Sequence, residues 1–180
     1  MKKIVRATMI MAMAIILAVV PFNPIIPVGS LTTAEAAASF SNHYYVVTTT
    51  AGLNVRSGPG TNYKKVGSAI PGGTIVCSAP LKKQNGWLFI CNPCTGWISL
   101  DYCKKVEHFI DYNNEIRYSV VVSTNGSNLN LRSGPSESFG IVAKIPNGTR
   151  LSPSFKYNGW CSVYYKGHHG WVNMKYIRKN

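Results

Sequence analysis

The heptapeptide Leu53-Asn54-Val55-Arg56-Ser57-Gly58-Pro59 occurs twice in this chain, returning 76 residues later as Leu129-Asn130-Leu131-Arg132-Ser133-Gly134-Pro135. Later landmarks keep the same order and nearly the same spacing. Gly86-Trp87 and Gly159-Trp160 are 73 residues apart, Gly96-Trp97 and Gly170-Trp171 are 74, and Tyr102 and Tyr176 are 74. Four landmarks in register mean a duplicated unit. The period is too long for a solenoid repeat and suits two small domains of about 60 residues each.

Each unit reads as short strands punctuated by turns. Residues 44–50 are aromatic and β-branched, and Leu53 to Arg56 alternate apolar and polar as a half-buried strand does. Ser57-Gly58-Pro59-Gly60 ends that strand, residues 66–70 form another, and Pro71-Gly72-Gly73 turns the chain. Residues 74–77 and 87–91 read as a hairpin across a loop at 82–86, followed by a last strand at 96–99 and a closing turn at 100–102. The second unit repeats the plan with strands at 117–123, 129–132, 141–145, 149–152, 160–164 and 170–173, and a closing turn at 174–176. No window supports a helix of ordinary length, so the fold class is all-β, with small barrels as the architecture.

The N-terminus is of another kind. Lys2, Lys3 and Arg6 precede an apolar run from Met9 to Val20, and small residues surround Glu35 in A-x-A patterns. This is the layout of a secretory signal peptide over residues 1–38, cleaved after Ala36 or Ala38. The apolar run is short for a span and Pro21 follows it, so no stable membrane insertion is expected after cleavage. The organisation is then a lead-in at 39–43, a first domain at 44–105, a polar linker at 106–116 and a second domain at 117–180.

The whole chain carries a formal charge of +13, and loss of residues 1–38 would leave +11. Charge of this size speaks about partners, not fold. Outside a cell it favours polyanions such as teichoic acids; export makes nucleic acid an unexpected partner.

Four of five cysteines, Cys77, Cys91, Cys94 and Cys103, fall in the first unit, so they are no feature of the repeat. In an exported chain an even cluster reads as disulfides. Strand alternation sets Cys77 opposite Cys91 and leaves Cys94 with Cys103. Four zinc thiolates and a redox CxxC at Cys91–Cys94 are the rival readings. Cys161 aligns with Leu88 on the core face and reads as a small buried hydrophobe.

The ordered set Leu-Asn-Val-Arg-Ser-Gly-Pro, Pro-Gly-Gly-Thr or Pro-Asn-Gly-Thr, Asn-Gly-Trp, Gly-Trp and a closing Tyr resembles the bacterial SH3-like (SH3b) domain family. The resemblance covers both units, and it implies two tandem small SH3-like β-barrels that bind the bacterial cell wall. By likeness to SH3 grooves it places ligand-binding residues at Trp87, Ser99 and Tyr102 in the first unit, and at Trp160, Asn173 and Tyr176 in the second. Ser99 and Asn173 stand where binders of Pro-rich peptides carry a groove proline, which points to a more polar ligand. Alternation independently turns Trp87 and Trp160 away from the core, where a large ring with a polar tip is useful for binding. Trp97 and Trp171 read instead as braces of the barrels, and Arg56 and Arg132 as pins of the following turn.

No catalytic constellation is recognised. His43 lies in the lead-in, His108 in the linker, and His168-His169 in a loop before Gly170, too few ligands for a metal. The sequence therefore leads to the expectation of an exported, non-enzymatic protein without cofactors, secreted or wall-associated, that holds peptidoglycan through two modules. The alternative from another class is a secreted protein-interaction factor: a regulator of a wall enzyme or a host-directed ligand.

Overall fold

The computed structural model describes residues 42–109 and 119–179 of the 180-residue chain. The expected signal segment, the lead-in up to residue 41 and most of the linker lie outside the described residues. Among the described residues the regular structure is β, apart from two single 3-10 turns at Leu100–Tyr102 and Met174–Tyr176. No helix among the described residues is long and apolar enough to cross a membrane.

The first half contains β1 (His43–Val47), β2 (Ile75–Ser78), β3 (Lys82–Gln84), β4 (Trp87–Ile90), β5 (Gly96–Ser99) and β6 (Cys103–Lys105). Strand β1 lies between β2 and β6, and β4 lies between β3 and β5, all antiparallel. Tyr45, Val47, Leu53, Val55, Val76, Leu88, Ile90 and Ile98 point inward from these elements and form one buried core with Ile70 and Cys103. Burying each such aliphatic side chain contributes about 1.5–3 kcal/mol relative to leaving it in water.

Strand β7 (Glu107–His108) follows, and the second half then contains β8 (Val120–Val122), β9 (Leu129–Arg132), β10 (Ile141–Ile145), β11 (Arg150–Leu151), β12 (Phe155–Tyr157), β13 (Trp160–Tyr165), β14 (His168–Asn173) and β15 (Ile177–Lys179). Strand β8 pairs with β11 and β15, while β12, β13 and β14 run side by side and β14 meets β9. A second core gathers Val120, Val122, Leu129, Leu131, Ile145, Leu151, Cys161, Val163 and Val172. Cys161 is fully buried there, as its alignment with Leu88 predicts.

Three local expectations change. Trp87's strand does form a hairpin, but with β3 and not with residues 74–77; β2 pairs with β1 instead. The second half does the same with β12 and β13. Asn85-Gly86 and Asn158-Gly159 make these turns, with φ of 49° and 78°, and 45° and 76°. That is the two-residue turn whose twist matches paired strands, and Asn-Gly is its strongest sequence signal. His168 and His169 belong to β14 and not to a loop, because Lys166-Gly167 takes the turn. Finally, the stretches at 53–56 and 65–70 form no continuous ladder, only the isolated bridges Leu53 to Ile70 and Arg56 to Lys65 with a Val66 amide to Val55 carbonyl hydrogen bond at 2.8 Å, where the second half has the strands β9 and β10. Gly67 is the reason: its φ of 67° interrupts the ladder at the place where the second half has Ala143.

The glycine of the repeated Ser-Gly-Pro has a packing cause. A Cβ on Gly58 would run into the ring of Tyr63, and one on Gly134 would lie 2.5 Å from the ring of Phe139. The arginine before it completes the device. Arg56 Nη1 donates to the Tyr63 carbonyl at 2.7 Å, and Arg132 Nη1 to the Phe139 carbonyl at 2.8 Å. Arginine, glycine and ring thus lock one loop, twice.

A third core joins the halves. Val46 and Val106 from the first pack with Trp160 and Trp171 from the second, with Tyr44, Ile75, Phe155 and Tyr157 around them. Trp171 is completely buried, and its Nε1 donates to the Gly73 carbonyl at 2.9 Å. A Cβ on Gly73 would collide with the Ser133 carbonyl, and one on Gly72 would lie 2.8 Å from the Phe139 ring as well as striking the Thr49 carbonyl. Strand β7 extends the second half's sheet by pairing with β12, Lys156 reaches Glu107 at 3.0 Å, and the rings of Tyr44, His108 and Phe155 pack together. The expected polar linker therefore begins as a strand. Trp171, expected to brace its own barrel, sits outside that barrel's core and seals the junction.

Candidate functional site

Two grooves form from matching elements of the two halves. In the first, antiparallel register sets Trp87 opposite Ser99. Ser99 then caps the 3-10 turn, its Oγ accepting from the Asp101 amide at 3.2 Å, and the turn presents Tyr102 three residues on. The Leu100 amide donates to the Gly86 carbonyl at 2.8 Å, which ties the turn to the Asn-Gly hairpin bearing Trp87. In the second half Trp160 faces Asn173, the Asn173 Oδ1 accepts from the Lys175 amide at 3.0 Å, and the Met174 amide donates to the Gly159 carbonyl at 2.8 Å. Tyr176 completes that turn.

The residues that the sequence singles out come together in both copies. Trp87, Ser99 and Tyr102 line one cavity of about 700 Å³, and Trp160, Asn173 and Tyr176 line another of about 260 Å³. The grooves also contain residues that the sequence reading passed over. Asn54 and Asp101 line the first, and Asn130 and Glu137 the second; Asn54 and Asn130 are the polar positions of the repeated Leu-Asn-x-Arg strand. Their place between inward-pointing aliphatic residues, Leu53 and Val55 or Leu129 and Leu131, is the signal that marks them. Arg56 and Arg132 reach the same cavities while their Nη1 atoms hold the loop carbonyls.

The copies differ in openness. Tyr102 is 52 % exposed and Tyr176 40 %, and Trp160 is only 8 % exposed, because its ring also packs into the junction core. Trp87 is half-buried. The second groove also has Glu137 where the first has Thr61, and its loop at 123–128 is one residue longer than the loop at 48–52.

All five cysteines are thiols in this structure. Cys77 and Cys91 nonetheless lie side by side: their backbones exchange a hydrogen bond, and Cys91 Sγ donates to the Cys77 carbonyl at 3.5 Å. Burial, with Cys91 as a neighbour, pushes the Cys77 thiol above its ordinary range. Cys94 packs against the first core, which contains Cys103. Burial pushes Cys103 up to about 11 and Cys161 up to about 12, so both are neutral at physiological pH. Among the described residues no group of three His, Cys, Asp or Glu is placed to hold a metal ion.

Comparison with known proteins bears on both halves. A family model for the bacterial SH3 domain matches residues 127–178. Over 150 residues, 79% of this chain, the sequence is 30% identical to the Bacillus subtilis (strain 168) protein named "Putative N-acetylmuramoyl-L-alanine amidase YrvJ". The chain spans 28% of that protein's length. Among solved structures, NlpC1 from Trichomonas vaginalis aligns over 84% of this chain and 50% of its own, at 16% identity and a TM-score of 0.32. NlpC2 from the same organism aligns over 78% and 49%, at 17% identity and a TM-score of 0.32. The likeness to a protein named as an amidase corrects the expectation of a non-enzymatic binder, and with it the exclusion of an enzyme. The grooves, the duplicated loop lock and the family match agree on one assignment for the second half: residues 127–178 are a bacterial SH3 domain.

Proposed function

We propose that the chain works in the hydrolysis of cell-wall peptidoglycan, and that its described residues fasten it to the wall through the two aromatic grooves. The observation that carries this reading is the groove itself, built twice from Trp, a small polar residue and Tyr. The 30% identity to a protein named as an amidase supplies the chemistry, opening of the amide bond between muramic acid and alanine. Residues 44–105 are a second SH3 domain on this reading, supported by the shared landmarks and the shared groove. Export directed by residues 1–38 puts the chain where its substrate is, and Cys77 with Cys91, and Cys94 with Cys103, close as disulfides there. The charge of +11 that is left without residues 1–38 adds a salt-sensitive attraction to wall polyanions such as teichoic acid.

The test is co-sedimentation of the chain with purified walls, with and without teichoic acid, at low and high salt. Retention on stripped walls at high salt is expected, and Trp87→Ala should abolish most of it. Binding that disappears with salt or with the teichoic acid would assign attachment to charge and overturn the groove reading. An amidase assay on the same walls examines the other half. Release of free amino groups is expected as the amide bonds open, and walls left intact would contradict it.

A further inference from the structure

The two grooves share their aromatic residues, and their closing turns differ in charge at the position before the tyrosine; the second groove has its carboxylate, Glu137, on the loop where the first has Thr61. Asp101 precedes Tyr102 in the first closing turn, and Lys175 precedes Tyr176 in the second. In the second half the Lys175 ammonium lies over the Tyr176 ring, 5.9 Å from its centroid. A cation over the electron-rich face of an aromatic ring is attracted by the ring's quadrupole. The protein thus shows, in its own second copy, where a cation rests on this turn. In the first copy no side-chain cation of the described residues lies over Tyr102, which is the more exposed of the two tyrosines. Asp101 stands there instead. Ser99 Oγ lies 3.1 Å from its Oδ2, which leaves Oδ1 for another donor. The other charge lining this cavity, Arg56, is held toward the Tyr63 carbonyl.

We propose that the first groove takes a ligand's ammonium group, seated against Tyr102 and Trp87 with the Asp101 carboxylate as its counter-ion, and that in the second half Lys175 already occupies the matching tyrosine, Tyr176. This rests on the wall-attachment reading, and it names the recognised chemistry as the free amino groups of wall peptides. The two grooves then divide the work. The wider first groove reads the amine through the carboxylate of its closing turn; the narrower second groove has no carboxylate on that turn and carries Glu137 on its loop instead.

The experiment compares retention of the full chain on untreated walls and on walls whose amino groups have been acetylated. The two explanations predict opposite signs. Acetylation removes positive charge from the wall, so general attraction to a chain of charge +13 would strengthen retention. Capture of an ammonium group would weaken it, by about tenfold for one charge-assisted contact. Asp101→Asn should bind untreated walls about as weakly as the parent binds acetylated ones, and should be insensitive to acetylation. Because Asp101 also touches its own turn through Ser99, Lys175→Asp gives a second arm. It empties Tyr176 and supplies a carboxylate, and should raise retention on untreated walls but not on acetylated ones. Equal or stronger retention of the parent on acetylated walls overturns the amine inference and leaves attachment standing. A Lys175→Asp chain that treats both walls as the parent does also counts against it. No retention on either wall overturns the attachment reading, and the inference with it.

Discussion

Trp97 and Trp171 hold the same place in the repeat, yet their surroundings have little in common. Each lies outside the core of its own half. Trp171 is sealed by the first half: its indole N–H meets the Gly73 carbonyl, and Val46 and Val106 cover it. Trp97 is covered from within its own half, by Phe89 at a ring separation of 5.5 Å and by Lys82, whose Nζ lies 5.2 Å from the Trp97 centroid and 5.3 Å from that of Phe89. The position that carries Lys82 in the first half carries Phe155 in the second, where it joins the junction. One repeat position therefore decides whether the outer tryptophan is protected by a neighbouring domain or by a lysine. A duplicated fold can acquire a rigid partner through a few substitutions on one face, leaving the grooves in place.

Four perturbations would break or sharpen that contrast. The largest effect belongs to Trp171→Ala, which empties the junction and leaves the Gly73 carbonyl without its donor. It should cost about 3–5 kcal/mol and split one unfolding transition into two in a denaturant titration. Trp97→Ala should cost less and leave the transition single; equal behaviour of the two variants would refute the contrast. Next is Gly73→Ala, with Gly148→Ala as its control. Both glycines have positive φ, 82° and 81°, but a Cβ at 148 meets open space while one at 73 meets the Ser133 carbonyl. The control should lose about 1 kcal/mol from backbone strain, and Gly73→Ala clearly more, read as a difference in melting temperature.

Smaller still is Lys82→Ala. Loss of a cation from over two rings should cost about 0.5–1 kcal/mol and redden no spectrum of Trp171, only quench or shift that of Trp97. The smallest is Glu107→Gln, because the pair with Lys156 is 74% and 45% exposed and such a bridge is worth well under about 1 kcal/mol. A loss of several kcal/mol there would mean that the ion pair, and not the buried tryptophan, joins the halves.

Much of each half was legible because the relevant signals are local or repeated. Alternation at Leu53-Asn54-Val55 and Leu129-Asn130-Leu131 gives the core face, and the spacing from Trp to Tyr leads to the groove in both copies. The true hairpins were equally legible in principle, since Asn85-Gly86 and Asn158-Gly159 are turn dipeptides between strands. The first was hidden because the lysine-rich β3 has no apolar face to announce a strand. The junction could not be read by periodicity. It pairs residues as far apart as Gly73 and Trp171, and only non-identities between the copies point to it: Gly72 where the second copy has Asn147, and Lys82 where it has Phe155. Asn147 is explained by its own contacts, because its Oδ1 accepts from the Thr124 amide at 2.8 Å. At residue 72 that side chain would have met the Phe139 ring.

The seam formed by Gly73, Trp171 and β7 also changes how two weak sites add together. On a flexible tether, a second site finds its ligand by searching a volume set by linker length, and almost any spacing on a polymer will serve. A fixed seam replaces the search with a gauge. On the proposed attachment, wall strands whose binding points repeat at the gauge length would receive the full gain of two-point attachment, and strands of another spacing would not. The duplication would then measure the spacing of the wall as well as hold it.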